Sequence, residues 1–161
     1  MACGNVWVLD ASALIEVKKM VSGNHQWNFF KALEAMVEDG HIAFPRQVVK
    51  ELKEGPHPDV PGAWIQGVAR ATVHPLDADV EVVAEVMAGT NNLVDPNAEG
   101  DPADPWVIAL AMDIAKDQDL EVMVVTNDHT NHHGNDSLAS ACDKLGVTHI
   151  RVDEFIEEVD F

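Results

Sequence analysis

The chain has 161 residues, 47% hydrophobic and 24% charged, which is the composition of a folded globular protein of one domain, residues 1–161. No run approaches the ~20 apolar residues of a membrane-spanning helix and no signal segment stands at the start, so we expect a cytoplasmic protein without a membrane partner. The formal net charge is −18, and residues 71–161, with 20 acidic and 3 basic residues, carry −17 of it. A polyanion would therefore be repelled by the second half of the chain.

Apolar segments and turn residues predict helices and strands that alternate. In chain order the prediction is a strand at 6–9, helices at 12–19 and 25–38, a strand at 41–44, helices at 46–54 and 63–69, a strand at 71–74, a helix at 77–87, a loop at 90–103, a helix at 104–116, a strand at 121–126, a helix at 137–145, a strand at 147–152 and a final helix from 153. This alternation indicates an α/β domain with a mostly parallel sheet.

Two of the helices show an apolar face by their spacing. In the helix at 25–38 the expected face is Trp27, Phe30, Leu33 and Val37. In the helix at 77–87 the expected face is Val80, Val83, Ala84 and Met87. The two cysteines, Cys3 and Cys142, lie far apart without metal-binding spacing, and we expect two reduced thiols, with Cys142 packed on a helix.

Four acidic residues stand where apolar segments begin or end: Asp10, Glu51, Asp104 and Asp128. Asp10 and Asp128 follow predicted strands, and ligands collect at the carboxyl ends of parallel strands. Carboxylates gathered in one cleft repel one another unless a cation neutralises them, which indicates a divalent metal. Taken alone, each acid also has a structural explanation. Asp10 and Asp128 fit turn or helix-starting residues, Glu51 fits a solvated helix residue, and Asp104 fits a helix cap before Pro105.

The segments around these acids resemble the motifs of the PIN-domain nucleases. VWVLDASALI at 6–15 resembles the opening motif, and VVKEL at 48–52 resembles the helical glutamate motif. ADPWVIALA at 103–111 is similar to the third acidic motif, in which small residues let the helix pack tightly. VVTND at 124–128 matches the last motif, a strand that ends in Thr-x-Asp. The resemblance extends from residue 6 to about residue 152.

The resemblance implies a PIN-like three-layer α/β/α sandwich with a mostly parallel central sheet, and an endoribonuclease that uses Mg²⁺ or Mn²⁺. The residues it assigns to catalysis and to the metal, directly or through water, are Asp10, Glu51, Asp104 and Asp128. Ser12 and Thr126 would be hydroxyls that orient carboxylates or waters, although Ser12 equally fits a helix cap. Hard oxygen ligands suit these two ions, and a divalent ion can activate water and stabilise a leaving oxygen.

Neighbouring residues leave alternatives open. Asp101 stands three residues before Asp104, and Glu54 stands one turn after Glu51, although the sequence context favours Asp104 and Glu51. Three histidines follow Asp128 closely: His129, His132 and His133. They are interpreted as loop residues rather than a zinc site, because no other soft ligand has suitable spacing.

RNA would have to bind the less acidic half of the chain. The candidate phosphate contacts there are Lys18, Lys19, Arg46, Lys50 and Lys53, the last three on the helix of Glu51. The rings of Trp27, Phe44 and Trp106 are interpreted as core rather than as platforms for stacked bases. Small size and the resemblance together suggest the toxin of a toxin–antitoxin pair, with a basic antitoxin protein as partner. The sequence leaves the oligomeric state open, with a homodimer as one option.

Two other functions fit parts of the sequence. A non-catalytic PIN-like module could bind a protein partner through the acidic surface, although a solubilising role explains that surface more simply. Phosphoryl transfer of the haloacid-dehalogenase type also uses an Asp at a strand end. It needs a second Asp two residues later, where this chain has Ser12, and therefore ranks last.

Overall fold

The computed structural model describes residues 4–53, 60–90, 103–127 and 136–161. Its strands are β1 (Gly4–Leu9), β2 (Ile42–Ala43), β3 (Leu120–Val125) and β4 (His149–Ile150). Its helices are α1 (Ala11–Met20), α2 (Gly23–Glu38), α3 (Arg46–Lys53), α4 (Val60–Val68), α5 (Val80–Gly89), α6 (Asp104–Ala115), α7 (Leu138–Leu145) and α8 (Val152–Glu158), and a 3₁₀ turn, Ala69–Ala71, follows α4.

Within these residues the strands form one all-parallel sheet in the order β2-β1-β3-β4. Leu9 at the end of β1 lies opposite Val125 at the end of β3, so the two strands finish at the same edge. Val6, Val8 and Leu9 are each no more than 1% exposed, as expected for a strand covered on both faces. The predicted α/β domain with a parallel sheet is confirmed.

Helices cover both faces of the sheet. Trp7 of β1 contacts Phe155 of α8, with ring centroids 5.9 Å apart, and α8 packs on α1. Val122 of β3 points to the opposite face, where it borders a depression with residues of α6 and α7. The helix α5 packs on both α6 and α7. This arrangement is consistent with three layers, and β1 and β3 end at the same edge of the sheet.

The predicted strand at 71–74 is wrong. Ala71 ends the 3₁₀ turn, and the residues after it are bends at the surface, where Val73 is 64% exposed. The His74 ring lies 2.8 Å from the carbonyl oxygen of Gly40, a contact of a side chain rather than of a strand ladder. A short alternation of apolar and polar residues indicates a strand only when a neighbouring strand is present to pair with it.

Both predicted helix faces are partly wrong. In α2 the buried face begins at Phe29, while Trp27 is 71% exposed with the Lys31 ammonium 5.5 Å from its ring centre. In α5 Val82 and Val86 are buried with Val83. Of the predicted face, Val80 and Met87 are 70% and 52% exposed, and Ala84 is exposed as well. Apolar residues on neighbouring positions let a helix turn its buried face by one residue, and the periodicity alone does not decide between them.

Other expectations about packing are confirmed. Phe44 is buried, and Trp106 is half-buried against the core. Cys142 is a buried free thiol on α7, whereas Cys3 and most of the loop predicted at 90–103 lie outside the described residues. Among the helices described, none combines the length and the apolar character that crossing a bilayer requires.

Candidate metal centre

Asp10 follows β1 directly and is held in place at the carboxyl edge of the sheet. Its backbone N–H donates to the carbonyl oxygen of Val125 at 3.2 Å, which continues the pairing of β1 with β3 by one residue. The residue is 4% exposed. Its backbone occupies the cap position of α1, but its side chain makes no capping hydrogen bond. The Asp10 side chain therefore makes contacts at this edge other than the capping of α1.

Two hydroxyls donate to the same oxygen of Asp10. Ser12 Oγ lies 2.6 Å and Thr126 Oγ1 lies 3.0 Å from Asp10 Oδ2. The backbone N–H of Asn127 in turn donates to Ser12 Oγ at 3.3 Å. Ser12 lies inside α1 and does not cap it, so the alternative of a helix cap is wrong for this residue. Hydrogen bonds to an ionised carboxylate favour its charged form and fix its orientation.

Glu51 reaches the same region from α3. Val48 and Leu52 bury one side of that helix, and Glu51 lies on its exposed side. Its Oε1 accepts a hydrogen bond of 3.0 Å from the backbone N–H of Ala103. Glu51 is thus an exposed residue of its helix, as the solvated alternative expects, but its carboxylate is also bonded to the start of α6.

Asp104 is the first residue of α6, and Ala103 occupies the cap position. The alternative in which Asp104 caps this helix is therefore wrong. The helix begins at the residue that the sequence predicts, and Pro105 lies in its first turn. A carboxylate in the first turn of a helix is stabilised by the N–H groups and the helix dipole. Glu51 and Asp104 consequently lie at the same helix start.

The charges of these acids act on common neighbours. Burial raises the pKa of Glu51, the Ala103 amide lowers it, and the charge of Asp10 raises it further. Burial raises the pKa of the Cys142 thiol to about 12, and the charges of Asp143, Asp10 and Asp104 add to this rise. The charge of Asp10 thus acts on Glu51, and the charges of Asp10 and Asp104 act on Cys142 of α7.

The remaining predicted site residues are placed less fully. In the described part of the chain, no three carboxylate, imidazole or thiol groups are close enough together to hold one metal ion, and this includes Asp10, Glu51 and Asp104. The predicted residues outside that part are Glu54, Asp101, Asp128, His129, His132 and His133.

The candidate phosphate contacts differ in how they are engaged. Arg46 makes two hydrogen bonds to the Asp77 carboxylate, of 3.0 and 3.1 Å, and these raise its pKa. Lys19 lies 3.5 Å from Glu16 in the same helix. Lys50 and Lys53 are exposed and form no ion pair with the described residues. The cations best placed to meet a phosphate beside Glu51 are therefore Lys50 and Lys53.

Two features of the structure carry little or no signal in the sequence. The Ala103 amide that holds Glu51 belongs to the backbone, and no side-chain pattern indicates it. Asp136 is 8% exposed, and both of its oxygens accept from Lys144 Nζ, at 2.9 and 2.8 Å. An Asp and a Lys eight residues apart across α7 form no standard helix pair. This ion pair stabilises α7, which carries Cys142.

The chain belongs to the family described as Domain of unknown function (DUF4411), whose model matches residues 7–161. No curated protein matches the chain.

Proposed function

We propose that this protein is a PIN-like endoribonuclease that hydrolyses RNA phosphodiester bonds with Mg²⁺ or Mn²⁺ held by Asp10, Glu51 and Asp104, with Asp128 as the fourth acid. The observation that carries the proposal is the buried Asp10 carboxylate. It lies at the carboxyl edge of a parallel sheet and receives two hydroxyl hydrogen bonds on one oxygen. Ligands of parallel α/β sheets bind at this edge.

A divalent cation fits the chemistry of this neighbourhood. The donors are carboxylate oxygens, which are the hard ligands that Mg²⁺ and Mn²⁺ prefer. The charge of Asp10 raises the pKa of Glu51, so the acids repel one another as they stand. A cation would relieve that repulsion and draw the carboxylates together. When bound, it supplies an activated water and stabilises the charge on the leaving oxygen.

The residues around the acids have defined roles in this proposal. Ser12 and Thr126 fix the orientation of the Asp10 carboxylate, and the Ala103 amide fixes that of Glu51. Lys50 and Lys53 share α3 with Glu51 and contact the RNA phosphates. Arg46 contributes less to RNA binding, because Asp77 already occupies its guanidinium.

Cleavage of a panel of labelled RNAs with Mg²⁺ or Mn²⁺ tests the proposal. We expect cleavage that EDTA stops and that Asp10→Asn and Asp104→Asn each abolish. Asp153→Asn is the matched control, since Asp153 is an exposed aspartate on α8 and its loss should leave cleavage unchanged. Cleavage that survives EDTA, or that survives both site substitutions in folded protein, would refute the proposal.

A second candidate is a non-catalytic PIN-like module that binds a protein partner through its acidic surface. The observation in its favour is the net charge of −17 on residues 71–161. Absence of cleavage on every RNA tested, together with unchanged stability in Mg²⁺ and Mn²⁺, would favour this candidate. Growth arrest on expression, relieved by a small basic protein, would instead support a toxin with its antitoxin.

A further inference from the structure

An apolar groove lies at the end of the sheet opposite to the proposed metal centre of Asp10, Glu51 and Asp104. Its larger part is a depression of about 520 Å³ between α2 and α8, at the amino-terminal ends of β1 and β2. Trp7 lies between the two helices, and the residues that border it on either side are Ala32, Ala35 and Met36 from α2, and Glu158 and Asp160 from the end of the chain. A volume of this size accommodates several side chains of a ligand.

A smaller depression of about 220 Å³ continues from the first one. It shares Trp7 and Glu158 with the larger depression and adds Glu121 and Met123 of β3. We call the two depressions together the Trp7 groove. Trp7 and Met123 are paired on neighbouring strands. The groove therefore runs along the same face of the sheet that α8 packs on, where Phe155 of α8 contacts Trp7.

Two kinds of polar group in the Trp7 groove, three carboxylates and one indole N–H, have no partner of opposite character among the described residues. Glu121, Glu158 and Asp160 pair with no lysine or arginine among the described residues. The indole Nε1 of Trp7, a residue 7% exposed, finds no acceptor there either. A buried donor without an acceptor is costly, and native proteins rarely keep one without a reason. The groove thus lacks a cation on its acidic side, while the Trp7 Nε1 donor beneath it is enclosed by protein atoms.

We propose that the Trp7 groove binds a basic peptide segment of a partner protein. Arginine or lysine side chains of the peptide meet Glu121, Glu158 and Asp160, and an apolar side chain packs on Ala32 and Met36. The peptide backbone lies along the exposed edge of Trp7. A second copy of this chain, with its net charge of −18, would be repelled by these carboxylates, and so would the phosphates of RNA. A basic partner matches the groove in charge, and its site is separate from the proposed nuclease centre.

Binding of a labelled, end-capped peptide of alternating arginine and leucine tests this assignment, with citrulline in place of arginine in the matched peptide. The double variant Glu158→Gln/Asp160→Asn should weaken Kd for the arginine peptide about threefold to tenfold, as expected for two partly exposed ion pairs. The control Glu81→Gln/Glu85→Gln makes the same change in charge on exposed positions of α5, outside the groove, and should change Kd by less than about twofold.

The indole N–H resonance of Trp7 gives a second readout that total charge does not move. Trp7→Phe assigns it, and saturation with the arginine peptide should shift it while the resonance of the exposed Trp27 stays in place. Equal weakening by the two double variants, or an unmoved Trp7 resonance at saturation, would overturn the proposal. Two other results would show that the groove has a different occupant, and each would also overturn the proposal. One is peptide binding that appears only in a chain shortened to begin at Gly4, and the other is self-association that the groove variant abolishes.

Discussion

Replacing Thr126 by valine tests whether the buried Asp10 carboxylate depends on its hydroxyl donors. Thr126 is fully buried, and its Oγ1 donates to Asp10 Oδ2 at 3.0 Å. Valine keeps the branched shape, so the change removes one donor from a buried charge without opening a large cavity. A hydrogen bond to a charged group contributes about 1.5–3 kcal/mol. Each 1 kcal/mol shifts the Tm of a protein of this size by about 2–4 °C, so the Tm should fall by about 3–12 °C.

Urea unfolding of a double-mutant cycle measures the effect. Thr126→Val is made in the native chain and in an Asp10→Asn background, where the acceptor is neutral and the substitution should cost about 0.5–1.5 kcal/mol. The difference between the two costs, about 1 kcal/mol or more, is the energy that couples Thr126 to the Asp10 charge. Equal costs in both backgrounds would refute the reasoning, as would a loss below about 0.5 kcal/mol in the native chain.

Three further predictions follow from the same geometry. Glu51→Gln should raise the Tm of the metal-free protein at pH 7, because burial and a neighbouring carboxylate raise the pKa of Glu51 and its ionised form therefore destabilises the fold. The gain should vanish below about pH 4.3, where the glutamate is protonated in the unfolded chain as well, and an unchanged Tm at pH 7 would contradict this. Burial raises the pKa of Cys142 to about 12, so its thiol should stay protonated at pH 8. Iodoacetamide should therefore leave Cys142 unmodified in the native protein and alkylate it in urea, as measured by the mass of its tryptic peptide. Rapid labelling of the native protein would contradict this. Lys50→Gln should weaken RNA binding and lower the slope of log K against log salt by about 1. Arg46→Gln should weaken RNA binding less, because Asp77 already binds the Arg46 guanidinium. Equal losses of affinity in the two variants would count against Lys50 as the phosphate contact.

The sheet and the position of Asp10 could be predicted because burial on both faces leaves a direct mark in the sequence. Val6 to Leu9 and Val124 to Val125 are continuous apolar runs, and the polar residue that ends such a run must lie at the edge of the sheet. Parallel pairing then places the ends of β1 and β3 side by side. The contact of Thr126 with Asp10 follows from this register.

Other parts of the site depend on contacts that the sequence does not encode locally. The hydrogen bond of Glu51 to the Ala103 amide joins residues 52 positions apart through a backbone group. The same limit applies to the buried faces of helices, where Trp27 and Phe29 are both apolar and tertiary packing alone decides which is covered. The false strand at 71–74 has the same origin, since strand formation depends on a partner elsewhere in the chain.

Anomalous diffraction at the manganese edge, from crystals equilibrated with Mn²⁺, would locate the ion directly. The proposed centre predicts a peak bound by oxygens of Asp10 and Asp104, directly at about 2.0–2.6 Å or through one water, with Glu51 turned toward it. Mn²⁺ bound elsewhere on the surface while these carboxylates remain without an ion would contradict the proposed metal centre.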